Sequence, residues 1–184
     1  MTVSRPRRVA IVGGGVAGLT AATHLARAGV EVAVYERDAH FGGAPRHTDH
    51  LGFGMTDLGR LLSGPQYAAR LIERAERSGA SLHPSEAVHD LATLDTDVVV
   101  LATGVRERPR SARLVPGDRP AGVYTTGQVQ QLTALYGQRV GNRAVIVGAE
   151  HVSMSAVITL RHAGCDIAAM VTSNTRHEIG RAHV

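Results

Sequence analysis

The run Arg8-Val-Ala-Ile-Val-Gly13-Gly14-Gly15-Val16-Ala17-Gly18-Leu19 sets a Gly-x-Gly-x-x-Gly spacing between an apolar strand and a helical pattern, and Glu36 follows 23 positions after Gly13. A strand from Val9 to Val12, a tight turn, a helix ending at Gly29 and a second strand from Val30 to Tyr35 make a β-α-β unit with a carboxylate at its end. Each glycine meets its own steric demand: Gly13 permits the turn, Gly15 lets phosphates approach, and Gly18 lets the helix pack on its strand. With Gly14, Val16 and Ala17 they leave bare backbone amides at a helix N-terminus, whose dipole favours a pyrophosphate without any lysine. Glu36 is suited to accept from ribose hydroxyls and would repel a 2′-phosphate. The site therefore fits FAD or NAD rather than NADP, and the adenosine half alone does not separate the first two.

Composition closes off other classes. A chain of 184 residues that is 43% hydrophobic can bury the core of one or two globular domains. The net charge of +4 suggests a nucleic-acid partner, yet all 20 basic residues are arginine, they are dispersed, and only 3% of residues are aromatic, so no stacking platform goes with them. The densest cluster, Arg106, Arg108, Arg110 and Arg113, reads as a solvated loop. No apolar stretch is long enough to span a bilayer, and the charged start Met1 to Arg8 has no apolar segment behind it, so a cytoplasmic address and no membrane contact are expected. The single cysteine, Cys165, makes no C-x-x-C pair and reads as a buried inert thiol. His47 and His50 lack a third ligand at fixed spacing, so no metal is expected. No nucleophile pattern supports hydrolysis, and no catalytic acid or base stands out.

A shift of 135 residues lays Ala144-Val-Ile-Val-Gly148 on Val9 to Gly13, Leu160 on Leu25, and Ala163-Gly164 on Ala28-Gly29. This is a second β-α-β unit: strand Arg143 to Val147, helix from about Val152 to Ala163, strand from about Asp166 to Val171. The scaffold repeats and the chemistry does not. Gly15 becomes Glu150, Gly18 becomes Ser153, and at this offset Glu36 becomes Val171. An anionic side chain at the phosphate place and a missing ribose acceptor make the second nucleotide site (Gly148, Glu150, Ser153) degenerate, with NAD(P) bound weakly or not at all.

Between the units, Arg37 to His47 is a loop in which Gly42, Gly43 and Pro45 let backbone come close to a ligand. Helical spacing runs from about Gly64 to Gly79, and Ser81 to His83 follow as a short strand. The apolar run Asp97 to Leu101, ending in Ala102-Thr103-Gly104, reads as a central parallel strand covered on both faces. Thr126 to Tyr136 reads as a short helix capped by Gly137. The expected organisation is α/β: an incomplete Rossmann-like FAD-binding domain over 1–109, a connector over 110–142, and the start of a second Rossmann-like domain over 143–177. Residues 178–184, Glu-Ile-Gly-Arg-Ala-His-Val, match the translation of a common sequencing-library adapter. The chain is therefore expected to be an inactive amino-terminal fragment, aggregation-prone through an unfinished sheet edge.

Two nucleotide-binding units, the Ala102-Thr103-Gly104 strand end and the following Val105-Arg-Glu-Arg-Pro109 resemble the two-dinucleotide-binding-domain flavoproteins of the glutathione-reductase superfamily, over about Arg7 to Val171. Gly122-Val-Tyr-Thr-Thr-Gly127-Gln128 and Gly148-Ala-Glu-His-Val-Ser153 are most similar to the flavoprotein subunits of amine- and amino-acid-oxidising complexes, such as the sarcosine oxidase alpha subunit and the opine and hydrogen cyanide synthase subunits. By that resemblance Gly13, Gly15 and Gly18 hold the FAD pyrophosphate, Glu36 and Arg37 the adenosine end, and Gly43 and Arg46 the region toward the flavin. Ala102, Thr103 and Gly104 close the adenine-proximal side. The implied activity is hydride transfer between a small amine or amino acid and FAD, with Arg46 and the amides near Gly43 as candidate tuners. Three features depart from the pattern: too few residues between Gly79 and Asp97 for the usual three-stranded excursion, no closing FAD strand, and no remainder of the second domain. The alternatives are an NAD-binding or non-catalytic subunit of a hetero-oligomeric oxidase, which implies a partner subunit, or an NAD(P)H-dependent flavin reductase.

Overall fold

The computed structural model describes residues 7–118 and 120–172, so the adapter-like tail lies outside the described residues. Contacts gather the chain into two units, one of the residues up to Arg46 with Leu51–Val105, the other of His47–His50 with the residues from Arg106 onward.

In the first unit the order is β1 (Arg8–Val12), α1 (Val16–Arg27), β2 (Glu31–Glu36), a short hairpin of β3 (Leu51–Phe53) and β4 (Leu62–Ser63), α2 (Gly64–Arg77), β5 (Ser81–Pro84) and β6 (Val98–Leu101). The main sheet is parallel with order β5-β2-β1-β6, and the registers Val12↔Tyr35 and Val12↔Leu101 bring three strand ends to one edge. This is the doubly wound logic in which ligands bind beyond the carboxyl ends of the strands. Alternation decides which side chains meet the helices: Val9, Ile11, Val32 and Val34 form the core with Leu19 and Ala22 of α1 and Leu71 and Ala75 of α2. Ile11, Leu19 and Val34 are fully buried, and each contributes about 1.5–3 kcal/mol through removal from water. A capping box starts α2, with Ser63 accepting from the Gln66 amide while Gln66 accepts from the Ser63 amide at 3.0 Å.

One expectation fails here. The run Asp97 to Leu101 does not form a central strand covered on both faces: β6 is an edge strand, with Val98 43% and Leu101 63% exposed. No described strand pairs with its outer side, and a continuous apolar run cannot by itself tell a covered central strand from an edge strand. Residues 85–96, where the excursion is short, contain only a 3₁₀ turn at Leu91–Thr93.

The second unit contains α3 (Thr126–Ala134), β7 (Arg143–Val147), α4 (His151–His162) and β8 (Asp166–Val171). Its core is Val129, Ile146, Ala156, Leu160 and Cys165, and a buried bond from Gln130 Nε2 to Ser155 Oγ, 2.7 Å, ties α3 to α4. The parallel β7–β8 pair slips register between Ala144 and Val145, so Val147 pairs with Val171 as Val12 pairs with Tyr35. The counterpart of Glu36 is therefore Thr172 and not Val171, because the slip adds one residue to the second copy. The connector bearing Arg106, Arg108 and Arg113 is exposed, and Arg110 staples it by donating to the carbonyls of Asp118 and, at 2.7 Å, Pro116. Among the described residues no helix is long and apolar enough to cross a membrane, and no group of three or more His, Cys, Asp or Glu is placed to hold a metal.

Candidate dinucleotide site

The turn between β1 and α1 is shaped by what lies against its glycines. Gly13 has φ +111°, a conformation that side chains disfavour, and its amide donates to the Tyr35 carbonyl at 2.8 Å. A Cβ there would lie 2.3 Å from the Ala102 oxygen, so the end of β6 rests directly on the turn. A Cβ on Gly18 would stand 1.9 Å from the Gly13 oxygen, which leaves glycine as the only side chain that lets α1 start so close to β1. Gly15 faces Gly43, where an added Cβ would come within 2.9 Å of the Gly15 Cα. Helix α1 has Gly15 as N-cap, no side-chain cap and no acidic residue in its first turn, so its leading amides keep their affinity for an anion. Val16 is half-buried and Ala17 exposed beside them.

Glu36 does more than face a sugar. Its Oε2 accepts from the Gly14 amide at 2.9 Å and its Oε1 from the Asp38 amide at 3.0 Å, which fixes the carboxylate at the end of β2 and leaves each oxygen a lone pair for a ribose hydroxyl. Arg46 donates to the His40 carbonyl and, at 3.2 Å, to Asp38 Oδ2, and so holds the loop that carries Gly43. The loop also closes through the Gly42 amide, which donates to the Gly14 carbonyl at 2.8 Å, and through Phe41, 7% exposed, whose ring fills the space over Gly14. Arg37 is exposed at the rim, with Nε 3.8 Å from Asp38 Oδ1. Thr103 and Gly104 are also exposed, just after the contact at Ala102. An open cleft of about 330 Å³ beside the end of β2 is lined by Tyr35, Glu86, Val88, His89 and Asp90.

The structure thus brings together Gly13, Gly14, Gly15, Gly18, Glu36, Gly43 and Ala102, and leaves Arg37, Thr103 and Gly104 at the rim. Sequence reasoning missed Asp38 and Phe41. The signal for them was the short distance from Glu36 to the Gly42-Gly43 pair, which forces the loop to turn back onto the first glycines. The residues present fit a diphosphate at the start of α1: the helix is uncapped, its first turn carries no acidic residue, and its wall at Gly15 and Gly43 is bare backbone, while the Gly14 amide is held by Glu36.

In the second unit Gly148 keeps the turn, with φ +129° and its amide donating to the Val171 carbonyl at 2.8 Å. Here side chains, and not a strand-end carbonyl, lie against the turn. A Cβ on Gly148 would lie 2.6 Å from Glu150 Oε2 and 2.8 Å from Ser153 Oγ, and Ser153 donates to Oε2 at 3.1 Å. The Glu150 amide, then the Ser153 hydroxyl, hold the Glu150 carboxyl below the ordinary carboxylate range, helped by the Ala149 amide and the charge of Arg113.

The sequence model of the family described as pyridine nucleotide-disulphide oxidoreductase matches residues 7–180. The flavin-containing monooxygenase ustF1 of Aspergillus flavus is 51% identical over 130 residues, 69% of this chain and 28% of that protein. The fold is shared with histamine dehydrogenase from Rhizobium sp. 4-9 (TM-score 0.66, 18% identity, 95% of this chain and 27% of that one). It is also shared with L-proline dehydrogenase from P. horikoshii (TM-score 0.63, 19% identity, 92% and 37%). The chain spans well under half the length of each of these proteins.

Proposed function

Because the chain belongs to the pyridine nucleotide-disulphide oxidoreductase family, we propose that it is the FAD-holding part of an FAD-dependent oxidoreductase, with the diphosphate seated at the start of α1. The observation that carries this reading is the cleared first turn: an uncapped helix start without an acidic residue, faced by Gly43 and flanked by a fixed carboxylate. In this arrangement the free amides at the start of α1 bind phosphate oxygens, Glu36 accepts from the ribose, and the cleft beside β2 offers room for the purine. Arg46 orients the loop through Asp38 and His40. FAD, when bound, supplies the two-electron redox chemistry; the protein contributes binding, orientation and electrostatics. One cysteine, 3% exposed, provides no dithiol within these residues, so the reading departs from the disulphide half of the family name.

For the substrate we favour a small amine or amino acid, on the resemblance of Gly122–Gln128 and Gly148–Ser153 to amine- and amino-acid-oxidising flavoprotein subunits. A companion subunit belongs to the same reading. The experiment is the visible spectrum of the purified full-length protein, followed by anaerobic addition of amines and amino acids. A flavin band that bleaches with one of them supports the proposal, and a protein without flavin absorbance sinks it.

A further inference from the structure

We infer that Glu150, which stands where the first unit has Gly15 and folds its carboxylate back over the turn, is the side chain that determines the second unit's refusal of NADH and NADPH. The unit has not lost the backbone of a dinucleotide turn: Gly148 keeps its positive φ, and its amide bonds the end of β8 as Gly13 bonds the end of β2. The floor of the turn is what differs. In the first unit the space next to Gly13 is closed by the Ala102 backbone carbonyl, which leaves the helix start open. In the second, the space next to Gly148 holds Glu150 Oε2 and Ser153 Oγ, bonded to each other at 3.1 Å. A carboxylate folded over its own turn and held by the Ser153 hydroxyl sets a negative charge at the positive end of α4. An incoming pyrophosphate would have to displace it or sit beside it, and like charges in contact are costly.

For NADH the far end of the unit agrees independently. The register slip places Thr172, which is uncharged, where the first unit presents Glu36, so no carboxylate grips the adenosine ribose. Refusal thus resides in a side chain on an otherwise retained scaffold, and removing that side chain should restore affinity.

The inference does not depend on what the first unit binds. The test uses the full-length protein in saturating FAD, with NADH and NADPH titrated separately by calorimetry into the parent, Glu150→Gln and Glu150→Gly. The parent should show no saturable binding of either. Glu150→Gln keeps the shape and removes the charge, so it should gain measurably, and Glu150→Gly should gain most, by roughly tenfold or more over the parent limit. Should Glu150→Gly fail to fold, the near-isosteric Glu150→Gln carries the test alone. Saturable nicotinamide binding by the parent overturns the inference. So does the absence of any gain in variants whose circular dichroism matches the parent. Flavin absorbance in the same samples reports separately on the first turn: its loss from the parent would break the proposed function and leave this inference standing.

Discussion

In the first β-α-β unit the amide of Gly13 reaches the Tyr35 carbonyl at 2.8 Å, and in the second the amide of Gly148 reaches Val171 at the same distance. The helices end alike: Val30 donates to Leu25 at 3.1 Å and Cys165 to Leu160 at 2.9 Å, while Glu31 reaches Arg7 and Asp166 reaches Asn142, both at 2.9 Å. The residues that hold this plan, Gly13 and Gly148, Leu25 and Leu160, Gly29 and Gly164, match at one offset. The residues that decide what the plan can bind do not. Gly15 answers to Glu150, Gly18 to Ser153 and Glu36 to Thr172: the first two exchanges put a carboxylate and a hydroxyl against the turn, and the third removes the charged acceptor at the strand end. Backbone geometry and ligand chemistry are thus separable, and a shared fold says nothing about a shared ligand until such positions are read.

The largest effect that tests this contrast is expected from Gly18→Val. Its Cβ would press on the Gly13 oxygen, so the full-length protein should lose about 3 kcal/mol or more from overpacking, together with its flavin. Ser153→Ala, at the matching place, should cost no more than about 1 kcal/mol, since that space already holds a side chain. Denaturant midpoints with flavin absorbance measure both, and equal losses would deny that the two turns are packed differently.

Next comes Glu36→Thr, which gives the first unit the second unit's residue. Loss of a charged acceptor and of the bonds to the Gly14 and Asp38 amides should weaken FAD binding about tenfold to a hundredfold. A dissociation constant equal to that of the parent would show that the carboxylate is not what separates the units. Arg46→Ala should act less strongly. Its partner Asp38 is half exposed, so solvent screens the pair and the loss should be about 1 kcal/mol, read as faster flavin release. Arg46→Lys should restore part of it, and a release rate unchanged in Arg46→Ala would remove the loop-holding role.

Much of this was legible in the sequence, because glycine spacing and apolar runs carry steric information that survives without coordinates. The turn at Gly13, both helices of the repeat, and β7 and β8 follow from such patterns. The β3–β4 hairpin did not, since Leu51-Gly-Phe53 is too short to show a period. The two capping boxes, Ser63 with Gln66 and Thr125 with Gln128, were readable signals that periodicity alone overlooked. Thr172 was hidden for another reason. A fixed offset assumes equal strand lengths, and a one-residue slip inside a strand leaves no mark in composition. The engagement of Glu36 with the Gly14 and Asp38 amides was likewise invisible, because it depends on a loop returning from Phe41 and Gly42.

The smallest predicted effect separates the units by their tyrosines. Tyr67 of the first unit is 8% exposed and donates to Asp57 at 2.7 Å, and burial, then that bond, push its hydroxyl from 10.0 up to about 12. The folded state thus favours the neutral phenol. Its contribution is fully present below pH 10.0 and is lost as pH rises through about 12. In the second unit Tyr124 and Tyr136 are 44% and 69% exposed. Tyr67→Phe should cost about 1 kcal/mol near neutrality by removing one hydrogen bond, and should flatten the decline of stability between 10.0 and about 12. Thermal melts across that range compare the two proteins. Parallel pH profiles would mean that the hairpin latch does not titrate, and that the first unit owes its alkaline behaviour to groups other than Tyr67.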